Sequence, residues 1–167
     1  MKKLLVSLFV LFVISAFSFP FFAGLEGINV PPTTLSATPS LLTVNARLDL
    51  GMFYFSLPVA ELYEDGGYNF NNDFSTDFIL SHLNVGISLK PKIPMIPLYA
   101  RVGADLPIFD LLVNQTFSTV DLKVGAGFKF LLLALEGGVV ARFEKQNDGS
   151  MNMDFGNIFY FAAGVAF

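Results

Sequence analysis

Asp154-Phe155-Gly156-Asn157-Ile158-Phe159-Tyr160-Phe161-Ala162-Ala163-Gly164-Val165-Ala166-Phe167 is the stretch on which the fold turns. Phe155, Phe159, Phe161, Ala163, Val165 and Phe167 share one face at a spacing of two, with Asn157 the only polar residue among them. Asp154, Gly156, Ile158, Tyr160, Ala162, Gly164 and Ala166 share the other. A period of two over this length means an extended strand, because successive side chains point to opposite sides. A soluble protein seldom carries such a strand at its end, since an apolar edge invites aggregation.

Upstream the same period recurs. Val44, Ala46, Leu48, Leu50 and Met52 alternate with Asn45, Arg47, Asp49, Gly51 and Phe53 across Thr43 to Phe55. Leu83, Val85, Ile87 and Leu89 oppose His82, Asn84, Gly86, Ser88 and Lys90 within Asp77 to Lys90. Further strands are expected from Leu98 to Leu106, from Thr119 to Phe130 and from Leu135 to Glu144. Phe21 to Asn29, with Glu26 inward, and Val59 to Glu64 complete a set of eight. Breakers separate them: the Pro31 to Ser40 region, Ser56-Leu57-Pro58, the polar run Glu64 to Thr76, Pro91 to Pro97, Pro107 to Thr116, Leu131 to Leu133, and Gln146 to Ser150. The connections alternate in character. Those at Ser56 to Pro58, Pro91 to Pro97 and Leu131 are the shorter or stiffer set; those around Thr34, Asn71, Asn114 and Asp148 are the longer.

Charge supplies an independent test of the faces. Arg47, Asp49, Lys90, Arg101, Asp105, Asp121, Lys123, Lys129, Glu136, Arg142 and Glu144 all lie opposite the aliphatic rows. A basic residue facing lipid near the midplane costs roughly 2–4 kcal/mol, so a lipid-facing row should be free of charge. An eight-stranded barrel has an interior just wide enough to be filled by side chains. The expectation is therefore an all-β, eight-stranded antiparallel up-and-down transmembrane barrel. Its lumen would hold an ion-pair network of Arg47, Asp49, Arg101, Asp105, Asp121, Lys123, Lys129, Glu136, Arg142 and Glu144. Aromatic residues near strand ends, Phe53, Tyr54, Phe55, Tyr99, Phe128, Phe130, Phe143, Phe155 and Phe159, would form the interfacial girdle.

The start of the chain agrees with export. Lys2 and Lys3 precede an apolar run from Leu4 to Ile14 broken only by Ser7, and Ala16-Phe17-Ser18 is a small-x-small cleavage site. Residues 1–18 are read as a signal peptide, leaving 19–167 as one barrel domain. The run is short of the ~20 apolar residues of a spanning helix before Pro20. With 53% hydrophobic and 14% charged residues the composition is unusual for a secreted soluble domain, yet no later run of apolar residues is long enough for a helix to span a bilayer. The absence of Cys excludes a disulfide framework and a lipoprotein anchor. Without the two leader lysines the ten basic residues fall to eight, against fourteen acidic, a net −6 that argues against a nucleic-acid partner.

The signal peptide, the alternating strands and the terminal Tyr160, Phe161 and Phe167 together resemble the small bacterial outer-membrane barrels of the OmpA, OmpX and OmpW kind. The resemblance implies an outer-membrane location and outer-membrane lipid around a monomer. It also implies recognition of the closing strand, through Tyr160, Phe161 and Phe167, by the barrel-assembly machinery.

Little chemistry competes with that expectation. His82 is read on the inward face beside Ser81 and Asn84; a hydrolase needs a nucleophile, a base and an orienting acid within bonding distance. A lone His without Cys is a poor metal centre. Glu64, Asp65, Asp73 and Asp77 offer oxygen ligands for Ca²⁺ but fit no loop motif. Gly125-Ala126-Gly127 lies inside a strand and is no phosphate loop. Asn114-Gln115-Thr116 matches a glycosylation sequon of little use in bacterial export. No cofactor, metal or catalytic residue is expected. The leading function is a non-enzymatic outer-membrane barrel with a structural or loop-mediated role and at most a narrow path. The alternatives are a soluble exported lipocalin-like barrel, whose aliphatic rows would line a ligand cavity, and a lipid-modifying enzyme using His82.

Overall fold

The computed structural model describes residues 21–29, 40–72, 74–93, 95–109, 112, 118–146 and 148–167. The signal peptide expected over 1–18, the loop expected before Ser40, and Asp73 and Asn114 lie outside the described residues.

The alternating stretches form β1 (Phe21–Ile28), β2 (Ser40–Leu50), β3 (Phe53–Tyr63), β5 (Asn84–Leu89), β6 (Leu98–Pro107), β7 (Thr119–Phe130), β8 (Leu133–Lys145) and β9 (Met151–Ala166). A short β4 (Tyr68–Phe70) and a helix α1 (Thr76–His82) interrupt the sequence between β3 and β5. Every barrel strand pairs antiparallel with its neighbours in the chain, and β1 pairs with both β2 and β9. The sheet thus closes as an eight-stranded up-and-down barrel with no free edge along its wall. β4 stands outside that ring, paired only to Ala60–Leu62 of β3.

Three expectations are corrected. The reversal after β2 falls at Gly51-Met52, not at Ser56-Leu57-Pro58. Gly51 has φ +68, a left-handed conformation that glycine adopts without a Cβ clash, and Leu50 faces Phe53 directly across the turn. Strand β3 then runs through Pro58. The register steps from Val44↔Ala60 to Asn45↔Pro58, so β3 carries one extra residue there, and a bulge is a place where a missing N–H is tolerated in a strand. This turn also flips Phe53 to the outer face and Tyr54 to the inner one.

The second correction is at Asp77 to Lys90. Its first half is α1, started by Ser75, whose Oγ accepts from the Phe78 N–H at 3.3 Å, with Asp77 in the first turn. Phe78, Ile79 and Leu80 are consecutive apolar residues without alternation, so the strand begins only at Asn84. The third is the girdle. Tyr54 and Tyr99 are buried inside the barrel and take no part in an outer aromatic belt.

Alternation decides what faces where. The inner rows hold the buried residues, and the outer rows expose Leu25, Leu48, Ile87, Val102, Val124, Leu135, Phe159, Phe161 and Val165. Among the described residues of the barrel strands, the outer rows carry no charge until Lys145, at the end of β8. In β9 the Asn157 that breaks the apolar face sits at an irregularity, where register passes from Val140↔Ile158 to Ala141↔Phe155. Asn29 ties this site down: its Oδ1 accepts from the Phe159 N–H and its Nδ2 donates to the Asn157 carbonyl at 3.2 Å. The Gly51-Met52 and Leu131-Leu132 turns lie at the same end as Phe21 and Phe167, where the Phe167 N–H donates to the Phe21 carbonyl at 3.0 Å. The long excursions leave from the other end.

Candidate functional site

The lumen is filled by charge. Among the described residues, four acids (Glu26, Asp49, Asp105, Glu136) and four bases (Arg47, Lys90, Arg101, Lys123) form one connected, electroneutral cluster. Arg47 is its hub. One terminal nitrogen donates to Glu26 at 3.0 Å and to Glu136 at 2.6 Å, while Nε and the other terminal nitrogen grip Asp49. Lys90 bridges Asp49 and Glu136, Arg101 reaches Glu26 at 3.2 Å and Glu136 at 3.4 Å, and Lys123 joins Glu26 at 2.6 Å to Asp105 at 2.9 Å. Such a cluster satisfies charges that would otherwise be costly to bury.

Lys90 comes from just past the end of β5; β3 and β9, which bring no charge, bring Tyr54 and Tyr160. Arg101 lies over both rings, at 4.8 and 5.2 Å from their centroids, and Arg47 and Lys123 also approach Tyr54. Tyr54 faces Asp105 and Tyr160 faces Arg101, although neither pair has hydrogen-bond geometry. Space for the rings comes from glycine. A Cβ on Gly86 would stand 2.5 Å from the Tyr54 ring, and one on Gly127 would strike Tyr99, whose hydroxyl donates to Glu136 at 2.8 Å.

Of the ten residues expected in the network, Arg47, Asp49, Arg101, Asp105, Lys123 and Glu136 meet in this cluster. Asp121 and Arg142 are register partners on β7 and β8 that form a separate, partly exposed bidentate pair at 2.8 Å. Glu144 is on the same face but makes no ion pair among the described residues. Lys129 also makes none; it sits at the turn end beside Lys92, whose ammonium is held below its ordinary pKa by burial and by the Lys129 charge. Glu26 and Lys90, inward by alternation but outside the expected network, are both central to it. Their signal was the alternation itself: Glu26 between Leu25 and Gly27, and Lys90 two residues beyond Ser88. Tyr160 is buried in the lumen, while Phe161 and Phe167 are outward and exposed.

Above the cluster, at the loop end, a cavity of about 320 Å³ opens between Asn45, Pro58, Glu61, Asn84, Asp105, Asp121, Arg142 and the end of α1. His82 belongs to this rim and not to a strand, which corrects its expected place. The ring stacks on Phe78 at 4.2 Å between centroids, and Nδ1 lies 3.1 Å from the Phe78 carbonyl and 2.8 Å from Ser81 Oγ. A carbonyl only accepts, so the Phe78 contact uses the tautomer with the proton on Nδ1, whereas the Ser81 contact can run in either direction. Ser81 in turn donates to backbone carbonyls of its own helix. Among the described residues no carboxylate hydrogen-bonds to the ring. Among the described residues no group of three or more His, Cys, Asp or Glu stands close enough to hold a metal ion.

Fold and lumen together define a class: a closed antiparallel barrel of eight strands, plugged by an electroneutral ion cluster and clad in uncharged apolar rows. Comparison with known proteins finds no match to this chain, neither a family model, nor a curated protein, nor a solved structure.

Proposed function

We propose that the chain is a non-enzymatic integral outer-membrane barrel, exported by its first 18 residues, that acts as a structural element of the envelope or through its loops. The observation that carries this is the division of faces around the whole circumference. Arg101 and Lys123 are 0% exposed inside, while Leu25, Val102, Val124, Phe159 and Phe161 are more than half exposed outside. In water such a continuous apolar belt would far exceed the few hundred Å² that monomeric soluble proteins expose. In lipid it is the required surface, and a closed ring of strands is one of the two ways a backbone can cross it. A lipocalin-like reading needs the aliphatic rows to line a cavity; here the inner space is ionic. Phe167 and Phe161 face outward on the closing strand, consistent with a role in assembly.

Cell fractionation with a gel-shift assay tests the proposal. The protein should fractionate with the outer membrane, and the refolded form should run faster unheated than boiled. Recovery in the soluble periplasmic fraction without detergent, with no heat-dependent shift, would overturn it.

A further inference from the structure

The turn end of the barrel differs in chemistry from turns that face water, which are dominated by Gly, Pro, Asn, Asp and Ser. Met52, Ile93, Met95, Ile96, Leu131 and Leu132 stand at its tips and are exposed. Two of them hold a backbone conformation that large side chains seldom adopt. Met95 has φ +67 and Leu131 has φ +54, in the left-handed region that favours Gly or Asn. The turn after β2 meets the same requirement with Gly51. A bulky apolar side chain kept where glycine would be easier points to a use for its surface. Hydrocarbon is the medium in which that surface costs nothing.

Inside this apolar collar the mouth is basic. Lys92 bridges to the inward Tyr99, and Lys129 lies on the inner row between the outward Phe128 and Phe130, its N–H donating to the Pro97 carbonyl at 2.8 Å. Both line one small cavity with Phe22, Lys90, Tyr99 and Ala166. Its volume of about 20 Å³ admits one water-sized group and no chain. Lys90 is bonded to Asp49 and Glu136. Beyond those two acids, the described residues from the ion cluster to the turn tips carry no carboxylate side chain. Burial and the Lys129 charge hold the Lys92 ammonium below its ordinary pKa, so the two cations feel each other across this mouth. Tips suited to hydrocarbon keep the end of the barrel within the leaflet, and there the anions at hand are lipid phosphates. One phosphate oxygen fits the cavity while acyl chains run over the apolar tips. We propose that the phosphate of a glycerophospholipid from the surrounding leaflet caps the turn-end mouth, held between Lys92 and Lys129.

This site rests on the membrane reading above, and its test separates the two. Folded full-length protein in neutral detergent is titrated with dimyristoyl phosphatidylglycerol, and bound lipid is counted by native mass spectrometry. Dimyristoylglycerol serves as the phosphate-free analogue and inorganic phosphate as the chain-free one. Expected is one retained phosphatidylglycerol, bound at least about tenfold more tightly than dimyristoylglycerol and not displaced by excess inorganic phosphate. Lys92→Met and Lys129→Met lie outside the ion cluster and together should weaken retention about tenfold. Lys145→Met, at the loop end, should leave it unchanged. Equal retention of dimyristoylglycerol, displacement by inorganic phosphate, or unchanged retention in the double variant would each overturn the site in a protein that still fractionates with the outer membrane. The first two comparisons use the native chain and decide the matter whether or not the double variant folds. Recovery in the soluble fraction would instead remove the membrane reading and the site with it.

Discussion

Lys123 shows how much one side chain in this lumen is asked to do. Among the described residues it is the only cation bonded to Asp105, and it shares Glu26 with Arg47 and Arg101. Removing a partner from a buried ionic group leaves the opposite charge uncompensated, at about 3–5 kcal/mol. Lys123→Met should therefore lower unfolding free energy by that amount in a urea titration of the vesicle-refolded barrel. Arg142→Met breaks a pair whose side chains keep 21% and 14% exposure, and should cost about 1 kcal/mol or less. Equal losses would mean that the cluster is not one unit. A second residue-scale test concerns Gly86, where a Cβ would meet the Tyr54 ring and the Ala104 carbonyl at 2.5 Å. Gly86→Ala should cost about 1–3 kcal/mol by overpacking. At this scale the sequence disclosed which residues face inward, because parity needs only local spacing. It did not disclose partners: Glu26 and Lys123 are separated by 97 positions and meet only because the sheet closes. Lys129 shares their parity but lies at the turn end, beside Lys92, and parity carries no information on height along the axis.

At the scale of elements, β3 and its neighbours were the least legible part, for identifiable reasons. Proline usually ends a strand, so Pro58 looked like a turn; the bulge that accommodates it is a property of the pairing with β2 and leaves no local mark. Gly51 looked like one more small inward residue, since its positive φ cannot be seen in a sequence. The helix α1 was hidden because His82 sits in phase with Asn84 and Gly86. The long, regular β7, β8 and β9 posed no such difficulty. The same contrast has an energetic consequence. β3 and β5 share four register pairs, Phe53↔Ile87 to Ser56↔Asn84, whereas β8 and β9 share a ladder from Leu133↔Val165 to Lys145↔Met151. Local opening follows the weakest seam. Hydrogen exchange of the folded protein should therefore release the β5 amides, from Asn84 to Leu89, well before those of Val139 to Leu135 in β8. Uniform protection around the ring would show that the short seam is reinforced by something other than its ladder.

For the whole molecule the decisive property is which solvent the outer face meets, and a single substitution can interrogate it. Val124 lies mid-strand in β7, opposite Val102 on one side and Val139 on the other, and is 51% exposed. Its neighbours on the outer wall are apolar for two strands in either direction, so a charge placed there finds no protein partner. If the wall is bathed in water, Val124→Lys is an ordinary surface substitution, within about 0.5 kcal/mol of neutral. If the wall is bathed in hydrocarbon, the ammonium must be carried into lipid near the middle of the barrel, at about 2–4 kcal/mol. The substitution leaves the lumen untouched, because residue 124 points away from Lys123 and its cluster. Unfolding by urea from lipid vesicles should accordingly show a loss of about 2–4 kcal/mol for Val124→Lys, while Lys at residue 145, already present at the end of β8, is tolerated because the cost falls toward the interface. A loss below about 0.5 kcal/mol at residue 124 would place that wall in water and take the membrane assignment with it.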